Sequence, residues 1–220
     1  MLPEPLRNAF HPYDALAASL LPKIASNGDG SHDVAHIVRV WKNTQTIQAI
    51  EGGDLNILVA ACLLHDCVAV EKNAPSRSQA SRLAAARAKE LLLELNWESD
   101  GIEAICHAIE AHSFSAGIKP VTLEARILQD ADRLDAIGSL GVARCFYTGG
   151  RIGSSLYDLV DPCAKHRPFD DSRYALDHFH TKLFHLASGF QTSTGARLAR
   201  IRQDRMRRFV DEFQEEAGIA

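Results

Sequence analysis

The sequence predicts an all-α domain, and three features carry that expectation. Apolar residues recur at three- and four-residue intervals through most of the chain. Strand-like alternation is nearly absent. The stretches between periodic segments are short. With 220 residues the chain can bury one sizeable core, and no repeat, low-complexity tract or linker sets off a second. A single domain over 1–220 is the expectation.

Taken in order, Tyr13 to Ala25 reads as a first helix. Asn27-Gly28-Asp29-Gly30 is a loop, and Ser31 is placed to N-cap a helix running to about Ala49. Gly52-Gly53-Asp54 breaks it, and Leu55 to Asp66 form a strongly apolar helix. Residues 72–77 make a loop before Ser78, which opens the Ala- and Leu-rich helix "QASRLAAARAKELLLEL". Residues 99–112 form another, followed by the loop "SFSAGIKP"; Leu123 to Ile137 is a helix ending at Gly138. A short segment 139–148 runs into the Gly-rich stretch 149–153. That stretch, "YTGGRIGS", lacks the GKS or GKT of a P-loop and follows no strand, so it reads as a turn or loop. "DPCAKHRPFDD" is a Pro-containing loop, and two last helices cover about 171–187 and 195–217.

The composition is 46% hydrophobic and 24% charged, with a net charge of −4. It is ordinary for a soluble globular protein and argues against a nucleic-acid polymer as partner, which would leave a basic footprint. The Arg-rich stretch 197–208 interleaves Leu198 and Ile201 with charge, as a solvated amphipathic face does. Five cysteines without a CxxC pair speak against a disulfide framework and fit a reducing cytoplasm. No apolar run reaches about 18 residues, and "MLPEPLRNAF" lacks the pattern of a signal peptide. A cytoplasmic protein without membrane attachment is therefore expected; a homodimer is left open.

One stretch breaks the apolar logic. In "AACLLHDCVAVEK", residues 60–72, His65 and Asp66 sit where a buried helix would carry another Leu or Ala, with Cys62 and Cys67 beside them as small core residues. An unsatisfied polar group there costs about 1–3 kcal/mol, and a bare charge more. His36 in "HDVAHIVRV" and Asp132 in "QDADRLDA" intrude in the same way from two other helices. Helical bundles build metal sites from inward-facing His and carboxylate groups on separate helices. Two imidazoles with two carboxylates suit a borderline divalent ion better than Ca2+. Singly, each residue has an ordinary reading as a hydrogen-bonded core His or a capping Asp. Four intrusions from three helices are harder to explain that way.

The order His … His-Asp … Asp resembles the HD-domain superfamily of metal-dependent phosphohydrolases. More narrowly, several phrases resemble its YedJ-like bacterial subgroup: "HIVRVW" (36–41), "LLHD", "KNAPSRSQAS" (72–81), "CHAIEAHSFSA" (106–116), "EARILQDADRLDAIGSLGVAR" (124–144) and "HRPFDDSRYALDHFHTKL" (166–183). The resemblance spans about 32 to 195. It implies a helical bundle with a metal site between helices, an HD-type core over about 32–140 and a C-terminal extension over about 141–217. Its ligand positions fall on His36, His65, Asp66 and Asp132, for one divalent ion: Mn2+, Co2+, Ni2+, Mg2+, Fe2+ or Zn2+.

Other roles follow from position in these motifs. "SHDVAH" holds a second His-Asp pair, but the match assigns the ligand role to His36; His32 could reach the rim, or cap the helix with Asp33. Asp135 is a candidate for orienting water or contacting the metal shell, and Asp130 reads as a surface or outer carboxylate. Lys72, Arg77 and Arg133 are available for phosphate, although Arg133 could pair with Asp130 or Glu124 instead. His107 and His112 are five apart and read as one site His and one helix-end His. They could alternatively serve a second metal, or as general acid. Arg167 is either a lid residue or part of a structural loop. The resemblance implies hydrolysis of a P–O bond in a nucleotide or small phosphorylated metabolite, as a triphosphate pyrophosphohydrolase or a nucleotidase. The alternatives are a non-catalytic nucleotide-binding module and a di-metal oxygenase.

Overall fold

The computed structural model describes residues 2–24, 33–68, 79–113 and 116–219. Among them are ten α-helices and no strand. These are α1 (Glu4–Phe10), α2 (Asp14–Leu20), α3 (Val34–Glu51), α4 (Leu55–Leu64), α5 (Ala80–Glu94), α6 (Ser99–His112), α7 (Leu123–Asp135), α8 (Ser139–Ile152), α9 (Asp177–Thr181) and α10 (Ser193–Glu216). None is long and apolar enough to cross a membrane. The chain divides into two compact units, Met1–Asp132 and Arg133–Ala220, and the division falls inside α7.

The first unit is built around α4. Its sequence, LNILVAACLL, is apolar on every side, so it must be covered on every side. Every residue from Leu58 to Leu64 is fully buried, against neighbours on α2, α3, α5 and α6. The surrounding helices each supply one apolar stripe. On α3 it is Ile37, Val40, Trp41, Thr44 and Ile47; on α6 it is Ile102, Ile105, Ala108 and Ile109. The α3 helix begins at Val34 rather than after Ser31, because the Asp33 carboxylate accepts the His36 N–H at 2.9 Å. It ends at Gly52, where φ is 85°.

The first helix expected from the sequence resolves into α2 and a 3-10 turn, Leu21–Lys23. Ahead of it lies α1, with Pro at its start, a position where the missing N–H costs nothing. It carries Phe10 into the core, stacked on Trp41 at 6.3 Å between ring centroids, with Tyr13 edge-on to the same indole at 6.0 Å.

In the second unit, the Gly-rich stretch is helix, not loop. α8 runs through Gly149 and Gly150 to Ile152 and ends on a left-handed Gly153. Gly in a helix interior costs about 1 kcal/mol. Gly149 is buried against the Ala175 side chain, which an added Cβ would meet at 3.4 Å, an ordinary contact distance.

The helix expected over 171–187 contracts to α9 and a 3-10 turn, Leu183–His185. Side chains capture this backbone. Buried Asp177 accepts both guanidinium nitrogens of Arg167, at 2.5 and 3.0 Å, and the N–H of Asp170 at 2.7 Å. Arg167 also lies over the Tyr174 ring at 4.6 Å. It is a structural residue of this loop, which removes the lid reading. Phe146, Phe179, Phe209 and Phe213 pack the rest of the unit against α10.

Two outcomes follow from this packing. Phe10→Ala should cost about 3–5 kcal/mol in denaturant unfolding, the range for a buried Phe. The two buried thiols should be inert in the folded chain: burial pushes Cys67 up to about 11, and Cys62 higher still. A thiol reagent at pH 8 is expected to reach these two only as fast as the chain unfolds.

Candidate metal centre

Three helix ends and one helix start converge in the first unit. His36 lies in the first turn of α3. His65 is the C-cap of α4, with Asp66 directly after it. His112 is the last residue of α6, and Asp132 lies near the end of α7. The Nε2 atoms of His36 and His65 are 3.2 Å apart. Asp132 Oδ1 is 3.5 Å from His36 Nε2, and Asp66 Oδ2 is 3.7 Å from both imidazoles. One ligand atom from each of His36, His65 and Asp132 lies within 4.8 Å of the other two. The imidazoles are buried, whereas the Asp66 and Asp132 side chains are 35% and 29% exposed, so the cluster opens to solvent on its carboxylate side.

The helix ends determine which nitrogens face inward. The last carbonyls of an α-helix have no partner within it. At the end of α4 the Cys62 carbonyl accepts from His65 Nδ1 at 2.7 Å; at the end of α6 the Ile109 carbonyl accepts from His112 Nδ1 at 2.6 Å. A carbonyl can only accept, so each Nδ1 carries the proton. In the neutral rings each Nε2 is then left with a lone pair. Burial, partly opposed by Asp66, holds His65 below the usual imidazole range and keeps it neutral.

This donor set fits a divalent ion. Ligands about 2.1 Å from a tetrahedral centre lie roughly 3.4 Å apart; His36 Nε2 lies 3.2 to 3.7 Å from the nearest atoms of His65, Asp132 and Asp66, and His65 lies 3.7 Å from Asp66. The negative ends of α4 and α6 favour a cation between them. An outer acceptor on Nδ1 is also how metal-binding imidazoles are usually oriented.

His112 belongs to this cluster. Its Nε2 lies 3.8 Å from Asp66 Oδ1 and its ring is edge-on to His65 at 5.0 Å between centroids. His107 does not share its position, since its Nε2 accepts the Val121 N–H at 3.1 Å. Asp130 is fully buried, which corrects its reading as a surface carboxylate. Asp135, in the second unit, is buried and paired with Arg144 at 3.3 Å.

Arg133, expected at phosphate, donates instead to the carbonyls of Leu186, Ser188 and Gly189 at 2.7–3.1 Å and lies over the Phe190 ring. Glu124, one of its expected partners, accepts the Asp54 N–H. His32, Lys72 and Arg77 lie outside the described residues. The sequence reading passes over two buried amides, Asn43 and Gln129; their only sequence signal is a polar side chain within an apolar stripe.

Two outcomes test this geometry. Adding Mn2+ to chelator-stripped protein should raise its thermal midpoint, by about 2.7 kcal/mol of stability at a hundredfold excess over Kd, and His36→Ala should abolish the rise. The metal-free protein should also weaken in acid. The imidazole of the unfolded chain titrates near 6.5 and that of folded His65 lower, so the unfolded chain gains the proton first. This contribution is complete above about 6.5 and is lost as pH falls toward the folded value. Denaturant midpoints from pH 8 to 5 should show the decline, and His65→Gln should flatten it.

Comparison with known proteins gives the family. The HD domain family matches residues 34–137. A Lactobacillus plantarum protein of known crystal structure is 31% identical, with a TM-score of 0.69 and 100% of both chains covered. An HD-superfamily hydrolase from Bacillus thuringiensis is 28% identical, with a TM-score of 0.70 over 99% of this chain and 98% of its own. YpgQ of Bacillus subtilis is 29% identical over 197 residues, 88% of each chain. Its crystal structure in complex with ADP gives a TM-score of 0.70 over 91% of this chain and 97% of that one. The chain belongs to the HD-domain superfamily, with the fold of its hydrolases.

Proposed function

We propose that this protein is a metal-dependent phosphohydrolase acting on a nucleotide or a comparably small phosphorylated metabolite. The observation that carries the reading is the convergence of His36, His65 and Asp132, with Asp66 beside them, on one half-open point. A divalent ion held by these four would polarise a phosphoryl oxygen and lower the pKa of water from 15.7 toward roughly 7.

The chain's own groups do the rest. Asp66 is shared: Oδ2 faces the two ligand imidazoles and Oδ1 faces His112. In this reading His112 Nε2, kept as an acceptor by the Nδ1 bond to the Ile109 carbonyl, takes a proton from the attacking water and returns it to the leaving oxygen. His107 is not available for this, because its lone pair is engaged by Val121.

Lys72 and Arg77 are assigned to the phosphates on the strength of the motif resemblance, and His32 to the rim of the site by its position one turn before His36. The complex of YpgQ with ADP supports a nucleotide as the substrate class. A triphosphate pyrophosphohydrolase and a nucleotidase both fit.

The test is product analysis. Protein stripped with chelator and reloaded with Mn2+, Mg2+, Co2+ or Ni2+ is incubated with nucleoside mono-, di- and triphosphates, and products are identified by mass. Pyrophosphate with monophosphate identifies the first activity, orthophosphate with nucleoside the second. Asp132→Ala should remove bound metal and lower turnover by at least about 100-fold, beyond the loss typical of an outer-shell change. Full activity in a metal-free Asp132→Ala variant would sink the mechanism.

A further inference from the structure

We infer that Asn43 and Gln129 are positioning residues for the metal centre, an inference that rests on the metal-site reading above. Asp132 reaches His36 only if α7 sits at the right height against α3. Apolar packing through Ala125, Ile127, Leu128 and Ala131 does not fix that height, because burial is non-directional. A slip of one residue along a helix moves a side chain about 1.5 Å along the axis, a large displacement beside a 3.5 Å approach.

Two buried amides supply directional contacts where they matter. Asn43 lies two turns beyond His36 on the same face of α3. Its Nδ2 donates to the carbonyl of Ala131, the residue before Asp132, at 3.0 Å. Gln129 lies one turn before Asp132 on α7. Its Nε2 donates to the carbonyl of Ala111, the residue before His112, at 2.7 Å. That carbonyl is one of those left unpartnered at the end of α6. The side chains are 8% and 3% exposed, so water does not compete freely for either bond. α7 is thereby bolted to α3 and α6 at the peptide groups adjoining Asp132 and His112.

The test is Mn2+ affinity of the full chain, measured by calorimetry, beside the melting temperature in chelator. Asn43→Leu and Gln129→Met keep approximate size and remove the donor. Each should weaken Mn2+ binding by about 10–100-fold, the range for outer-shell partners, in protein that is folded. Asn43→Gln, which keeps an amide donor, should recover part of the Asn43 loss. Thr44→Val is the control: Thr44 is buried next to Asn43, and its hydroxyl has no hydrogen-bond partner among the described residues.

Native affinity in folded Asn43→Leu and Gln129→Met overturns the inference, as does an equal loss in Thr44→Val. If Asn43→Leu does not fold, Asn43→Ser is read by the same criterion. Native protein whose Mn2+ binding is lost in His65→Ala but retained in both amide variants would overturn this inference alone. Native protein that takes up no ion would overturn the metal-site reading with it.

Discussion

The Nδ1–H bonds of His65 and His112 to the carbonyls of Cys62 and Ile109 are the constraint on which the rest of the centre depends. Each satisfies a carbonyl that helix geometry leaves without a partner, so the stability of two helix ends and the orientation of two imidazoles are the same interaction. It decides that lone pairs, not N–H groups, face Asp66. His36 stands apart, since it enters from a helix start whose first turn is fixed by Asp33. A proton on its Nε2 can bridge the 3.2 Å to His65 when no ion is bound. A metal ion would take the place of that proton.

The cost of this arrangement falls on α4. A helix as apolar as this one can end inside a core, and ending there is what delivers His65 to the interior with Asp66 at its half-open edge. The price is buried polar groups at that end, each of which costs about 1–3 kcal/mol if left unpaired. Asn43 on α3 and Gln129 on α7 meet the same requirement through the carbonyls of Ala131 and Ala111. The sulfur atoms of Cys62 and Cys67 meet it weakly, with contacts to the carbonyls of Ile37 and Ala84.

Much of this is legible in the sequence, for an identifiable reason. Helices α3 to α7 carry long periodic stripes, and a polar residue inside such a stripe is conspicuous; His36, His65, Asp66 and Asp132 stand out on that ground. His112 does not. Five-residue spacing from His107 says the two diverge but not which one turns inward, and only the path of α6 decides it. Arg133 misleads because adjacency to Asp132 places it on a different face, where its donors find the carbonyls of Leu186, Ser188 and Gly189. In the second unit local rules fail where tertiary contacts override them. Gly149 and Gly150 are helical within α8 despite their low propensity, and 171–176 is not helical because Arg167 and Asp177 hold the chain in a loop.

The most direct test of this account is the tautomer of His65 and His112. Two-bond 1H–15N correlation spectra of the metal-free chain, labelled with 15N-histidine, distinguish a protonated Nδ1 from a protonated Nε2. The Nδ1–H form is expected for both rings in their neutral state, and on adding a divalent ion a change at His65 Nε2 with the Nδ1 proton retained. A protonated Nε2 on neutral His65 would contradict it, because the lone pair on which the metal centre depends would then point at the Cys62 carbonyl.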